Sequence, residues 1–208
     1  MKAVISDFGG VLTTPLAGAF EALHQETGVS LESLGGAMHA ITERDGAHPL
    51  FELECGRITE AEFAGRVAAE LTEADGSRPD LSSFGEIFFR SLAPNQAMIE
   101  LMREIGGTGR RMALLTNNVR EWQPRWRAMA PIDEIFELVV DSAFVDCRKP
   151  EPEIYRITLD RLDLDPADCL FVDDVGINCK GAAEAGMHAV HFQDNAQAEA
   201  EIRAALAT

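Results

Sequence analysis

Three short apolar runs constrain this chain most, because each stops abruptly at polar residues. Lys2 to Ser6 stops at Asp7, Arg111 to Thr116 stops at Asn117-Asn118, and Cys169 to Val172 stops at Asp173-Asp174. Runs apolar at consecutive positions read as strands buried on both faces. Phe136 to Val140 and Ala189 to Phe192 add two more. Between them lie stretches with helical spacing. Gln96 to Ile105 stops at Gly106-Gly107, Glu151 to Leu162 is opened by Pro150 and Pro152, and Asn178 to Ala185 and Ala196 to Leu206 follow later strands. This alternation predicts an α/β fold, a parallel sheet with helices on both faces.

One long stretch breaks the rhythm. Residues 15–93 hold no convincing strand, and Phe20 to His24, Leu34 to Ile41, Thr59 to Leu71 and Phe84 to Leu92 read as amphipathic helices. Thr59-Glu60-Ala61-Glu62 supplies a capping-box start. The expected organisation is a core from residues 1–14 and 94–208, carrying an all-helical insert at 15–93. Phe51, Phe63, Phe84, Phe88 and Phe89 are expected to pack the insert's helices together, with lining a pocket as the alternative, and Trp122 and Trp126 to share one helix face, with a rim over the site or a subunit contact as the alternatives.

Composition narrows the partners. The formal net charge is -17, which repels nucleic acid and anionic lipid and makes neither an expected partner. A phosphate site on such a protein needs local cations. No apolar run approaches the roughly 18 residues that span a bilayer, and an acid at position 7 comes too early for a signal peptide. A soluble, cytoplasmic protein is expected. Cys55, Cys147, Cys169 and Cys179 form no metal-binding spacing and read as free thiols.

In an open parallel sheet, ligands sit outside the carboxyl ends of the strands. Asp7, Thr116-Asn117, Lys149 and Asp173-Asp174 all fall at or near such ends. Adjacent carboxylates repel each other unless a cation is present. The set is complete for phosphoryl transfer. Asp7 can attack phosphorus as a carboxylate nucleophile. Asp7, Asp173 and Asp174 make a hard oxygen site suited to Mg²⁺ with retained waters. The Thr116 hydroxyl and the amides at Asn117 and Asn118 can bond phosphoryl oxygens, with Gly9 and Gly10 at the turn facing the substrate. Lys149 adds a fixed positive charge.

These segments carry a resemblance. Asp7-Phe8-Gly9-Gly10-Val11-Leu12, Leu114-Leu115-Thr116-Asn117-Asn118, Lys149-Pro150-Glu151-Pro152 and Phe171-Val172-Asp173-Asp174-Val175-Gly176-Ile177-Asn178 occur in the order of the four motifs of the haloacid dehalogenase superfamily of hydrolases. The last two look especially like the phosphatase domain of soluble epoxide hydrolase and small bacterial sugar-phosphate phosphatases. The resemblance implies a Rossmann-like core with a mobile helical cap at the insert. It implies Asp7 as nucleophile and Mg²⁺ held by Asp7, the Gly9 carbonyl and Asp174, with Asp173 assisting. Phosphate contacts would come from Thr116, Asn117 and Lys149, and Asn178 would brace the acidic loop. The implied activity is Mg²⁺-dependent hydrolysis of a phosphoric monoester or acyl phosphate, with a small phosphorylated metabolite as substrate. A monomer and a homodimer are both compatible with it.

One departure matters. Phosphatases of this family usually carry a second Asp two residues after the nucleophile, which protonates the leaving oxygen and later activates water. Here that position is Gly9, and a positioned acid or base is worth about 10²–10⁴ in rate. The substrate could have a good leaving group. An acid could come from water or from the cap, with His39, Glu43, Asp45 and His48 as candidates. Or the protein could be a weakly catalytic binding or regulatory relative, which ranks last because some members of the subgroup it resembles carry glycine here and are phosphatases; the presence of Asp7, Lys149 and the acidic pair also counts against simple decay. The dehalogenase branch also lacks the second Asp and needs no metal, but it carries no acidic pair in the fourth motif. Asp7-Phe8-Gly9 also spells the kinase metal tripeptide, without the kinase loops that would precede it. Gly106-Gly107-Thr108-Gly109 precedes a strand and reads as a helix stop.

Overall fold

The computed structural model describes residues 1–72 and 77–207, so part of the insert lies outside the described residues. Five strands form one sheet: β1 (Ala3–Ser6), β2 (Arg111–Thr116), β3 (Leu138–Asp141), β4 (Cys169–Asp173) and β5 (His188–His191). All neighbours pair in parallel, in the order β3-β2-β1-β4-β5. This is the expected α/β, Rossmann-like arrangement. Strand order reverses at β1, which opens a crevice between the carboxyl ends of β1 and β4.

The continuous apolar runs are explained by two cores, one on each face. Val4, Leu114, Leu170, Val172 and Val190 point into one apolar cluster. Their strand neighbours Ala3, Ile5, Ala113, Leu115, Cys169 and Phe171 point into the other. Successive strand side chains alternate between faces, so both sets must be apolar. The second cluster is closed by α9 (Pro152–Leu162) and by Ala182 of α10 (Gly176–Glu184). The first is closed by α6 (Gln96–Gly107), by α11 (Asn195–Leu206) and by Trp126.

Between β1 and α6 the chain forms α1 (Ala17–Thr27), α2 (Leu31–Asp45), α3 (Pro49–Glu54), α4 (Glu60–Glu70) and α5 (Phe84–Arg90). The stretch is closed at its base. Thr13 bridges Pro94, the Thr14 amide donates to the Ala93 carbonyl at 2.8 Å, and that of Asn95 to Leu12 at 2.9 Å. The Thr59–Glu62 capping box forms in both directions. The apolar cluster of these helices is continuous with that of the adjoining sheet face.

Several expectations need correction. α3 was not anticipated, because six residues are too few to display a helical period. α6 runs through Gly106-Gly107, and the turn falls at Gly109, whose φ is +87°. Trp122 and Trp126 do not share one helix. Trp122 ends a 3-10 turn, Trp126 lies in α7 (Gln123–Arg127), and α8 (Ile132–Ile135) then leads into β3. No described helix is long and apolar enough to cross a membrane. The four cysteines are buried and unpaired.

Candidate active site

The sheet brings Asp7, Thr116 and the acidic pair to one edge, because each follows or ends a strand whose register aligns with β1. Lys149 arrives from the loop between β3 and α9. Its side chain is 1% exposed, and its ammonium donates to Asp7 Oδ1 at 2.6 Å, Asp173 Oδ2 at 2.7 Å and the Leu115 carbonyl at 2.9 Å. Three acceptors satisfy all three of its protons. Burial alone would drain this charge, but Asp173 and Asp7 outweigh it and hold the ammonium protonated well above its ordinary range.

Asp7 is pushed the other way. Burial raises its carboxyl to about 7, against the pull of Lys149 and with help from the charges of Asp173 and Asp174. Asp174 is also raised, by burial first and then by Asp173. Asp7, Asp173 and Asp174 each offer an oxygen, all within 4.8 Å of one another. Three carboxylates around one ammonium leave the cluster short of positive charge, and hard oxygen donors of this kind fit a Mg²⁺ ion.

The two aspartates of the acidic pair differ. Asp173 is fully buried with both oxygens engaged: Oδ1 accepts from the Val175 amide at 2.8 Å, Oδ2 from Lys149, and both from Asn178 Nδ2 at 3.1 Å. Asn178 is anchored in turn by Tyr155, whose hydroxyl donates to its carbonyl at 2.8 Å. Asp174 is half-buried; its carbonyl accepts from His191 Nε2 at 3.0 Å, while its carboxylate accepts from no side chain among the described residues. Gly10 makes room for it. Its φ is +77°, and a Cβ there would sit 2.1 Å from Asp174 Oδ2, so glycine is required twice over.

The other expected contacts divide. The Thr116 hydroxyl is buried and has only 3.4 Å contacts, to the Asn117 carbonyl and Asn118 Nδ2. The amides of Phe8, Gly9 and Asn117, and the Gly9 carbonyl, pair with no protein group among the described residues. Three expectations change. The Asn117 side chain is spent on the Lys149 backbone, donating to its carbonyl at 2.9 Å and accepting from its amide at 2.8 Å, so it positions the lysine. The Asn118 amide donates to Ser142 Oγ at 3.0 Å. The Gly10 amide donates to Thr13 Oγ1 at 2.9 Å, so that residue contributes space, not a substrate contact.

Above this floor lies a cavity of about 170 Å³, shared between the loops after β1 and β2 and the inserted helices. Phe63, Phe84, Phe88 and Phe89 line it, together with Trp122 and Leu34. Four of the five phenylalanines therefore take the alternative role and form walls, and Trp122 rims the same space. Phe51 is the exception. It is exposed, stacks on His48 with ring centres 4.1 Å apart, and lies 3.9 Å from the Arg148 guanidinium. Of the expected cap acids, His39, Glu43 and Asp45 are exposed, and none of the four lines the cavity. Glu54, which sequence reading passed over, does. No motif flags a lone Glu in a six-residue helix.

A family model for haloacid dehalogenase-like hydrolases matches residues 1–186. Mouse acyl-CoA dehydrogenase family member 10 is 31% identical over 99% of this chain, which corresponds to 19% of that protein. The chain spans at most 38% of the length of the first curated relatives it matches. The sesquiterpene phosphatase AstK of Aspergillus oryzae is 28% identical over 97% of this chain and 95% of its own. Among solved structures, an enzyme of this family from Bacteroides thetaiotaomicron, complexed with magnesium and inorganic phosphate, superposes with a TM-score of 0.70. It is 22% identical, with 93% of this chain and 94% of that one covered. The motif order, the parallel sheet and the family match agree, and the chain belongs to the haloacid dehalogenase-like hydrolases.

Proposed function

We propose that this hydrolase is a Mg²⁺-dependent phosphatase that forms an aspartyl-phosphate on Asp7 and releases an apolar alcohol from a small phosphorylated metabolite. The observation that carries this reading is the buried triangle of Asp7, Lys149 and Asp173, with Asp174 beside Gly10. Asp7 is the one carboxylate of the cluster placed at the end of the central strand β1. Its oxygen attacks phosphorus, and the bond to the leaving alcohol breaks. Lys149 keeps Asp7 oriented and offsets charge on the phosphoryl oxygens. The Thr116 hydroxyl and the unpaired amides of Phe8, Gly9 and Asn117 are donors of the right kind for those oxygens. Asp7, Asp174 and the Gly9 carbonyl would hold the Mg²⁺, with Asp173 assisting chiefly by holding Lys149. The metal supplies charge neutralisation between nucleophile and phosphoryl group. Residues 15–93 act as the cap over this site.

The cavity supports an apolar leaving group. Its walls are largely Leu, Phe, Met and Trp, which exclude water and offer little to a sugar's hydroxyls. The name of the Aspergillus oryzae relative, a sesquiterpene phosphatase, agrees with such a pocket. Metal-free dehalogenation is disfavoured. The dehalogenase branch carries no acidic pair in the fourth motif, whereas Asp173 and Asp174 cluster with Asp7 here and call for a cation.

The test is phosphate release from a panel of monoesters. Turnover should require Mg²⁺, stop with EDTA and vanish in Asp7→Asn, and rapid acid quench should trap phosphoenzyme. Metal-independent turnover, or an active Asp7→Asn protein, would sink the proposal.

A further inference from the structure

Gly9 leaves the departing oxygen without a proton from the nucleophile's own loop. Among the described residues lining the cavity, Glu54 carries the one ionisable side chain. Building on the phosphatase reading, we propose that Glu54 is the acid–base residue of this site, carried by α3 into the cavity that Gly9 also lines. In the first step Asp7 Oδ bonds to phosphorus, and the P–O bond to the alcohol breaks. The electron pair left on the alcohol oxygen takes the Glu54 proton. In the second step the Glu54 carboxylate takes a proton from water as the water oxygen bonds to phosphorus. The P–O bond to Asp7 breaks, phosphate leaves, and Asp7 and Glu54 return to their starting states.

The backbone of Glu54 is pinned to the phosphate-side loop. Its carbonyl accepts from Ser142 Oγ at 2.6 Å, and that same hydroxyl accepts from the Asn118 amide at 3.0 Å. The side chain is held from one side only. Arg148 Nε donates to Oε2, while Oε1 has no protein partner among the described residues. One oxygen is thus fixed and the other is left for a proton. Burial pushes the carboxyl above its ordinary range, against the charges of Arg148 and Lys149, the cations that face it. An apolar group seated in the cavity removes more water and pushes the same way. Once the proton has gone, Arg148 neutralises the carboxylate that remains. Arg148 is itself steadied by the ring of Phe51, one turn earlier on α3.

The experiment compares wild type and Glu54→Gln on hexyl phosphate and p-nitrophenyl phosphate in saturating Mg²⁺. A hexyl alkoxide needs protonation and a nitrophenolate does not. The expected loss in kcat/KM is about 10²–10⁴-fold for the alkyl ester and less than about tenfold for the aryl ester. The variant should also show a burst of nitrophenol followed by slow turnover, because water is no longer activated. Equal losses on both esters, or none, would overturn the role of Glu54. Arg148→Met separates catalysis from packing, since it breaks the same ion pair but keeps the acid. Because the acid stays in place and only its neutralising partner is lost, the alkyl-to-aryl ratio should fall by less than about tenfold, and a ratio matching that of Glu54→Gln would reduce Glu54 to a structural partner. If Asp7→Asn retains turnover, the phosphatase reading fails instead.

Discussion

Lengthening the alcohol of an alkyl phosphate tests the cavity directly. Each methylene moved from water into an apolar wall is worth about 0.8 kcal/mol, or about fourfold in kcat/KM. The gain should stop when the cavity is full. At about 170 Å³ it is close in size to an apolar cavity of about 150 Å³ that accommodates benzene, so about six carbons should fill it. From ethyl to hexyl phosphate the sum is about 3.2 kcal/mol, a rise of about 200-fold. The gain should appear mainly in KM, because the alkyl chain is buried equally in ground and transition states. Steady-state phosphate release across ethyl to decyl phosphate, in saturating Mg²⁺, measures it. The expected profile climbs and then flattens near hexyl. A flat profile, or a preference for glycerol or sugar phosphates over hexyl phosphate, would refute the assignment of the cavity to the leaving group.

Three further outcomes follow from particular contacts. Lys149→Met leaves Asp7 and Asp173 facing each other without their shared cation, and breaking a buried pair this way costs about 3–5 kcal/mol; urea unfolding within about 1 kcal/mol of wild type would contradict it. Gly10→Ala combines a left-handed φ with a Cβ placed against Asp174 Oδ2, and should weaken Mg²⁺ binding by about 10–100-fold in calorimetry, whereas unchanged affinity would remove Asp174 from the metal site. Asp141 is buried, Oδ2 meets no well-aligned donor among the described residues, and burial raises the carboxyl to about 6 against the Ala143 amide and the weaker pulls of Arg127, Arg120 and Trp126. A raised carboxyl costs nothing while protonated in both states, and costs stability as pH climbs through its folded value. Wild type should therefore lose up to about 3 kcal/mol relative to Asp141→Asn between about pH 4 and 7, and parallel pH profiles for the two proteins would exclude it.

The parallel sheet was legible in the sequence because its strands are buried on both faces. Such strands must be apolar at consecutive positions, and they stop where the chain reaches the ligand edge. The same logic made Asp7 and Asp173-Asp174 visible as polar groups at strand ends. The Thr59 capping box was legible because its partners lie three residues apart. What tertiary structure alone decided involves partners far apart in the chain. The Asn117 side chain is engaged with the backbone of Lys149, 32 residues away, which leaves only its backbone amide as a candidate phosphate donor. Asp173 and Asp174 are chemically identical in sequence, and only the packing of Lys149, Val175 and Asn178 engages both oxygens of the first while leaving the carboxylate of the second without a side-chain donor among the described residues. The phenylalanines of residues 63–89 carry the same apolar pattern whether they pack together or wall a cavity, and the spacing of the folded helices decides which. Glu54 meets Arg148 across 94 residues, on a helix too short to show a period. Local chemistry and periodicity are written along the chain, whereas which side chains share a cavity is settled only when distant segments fold against each other.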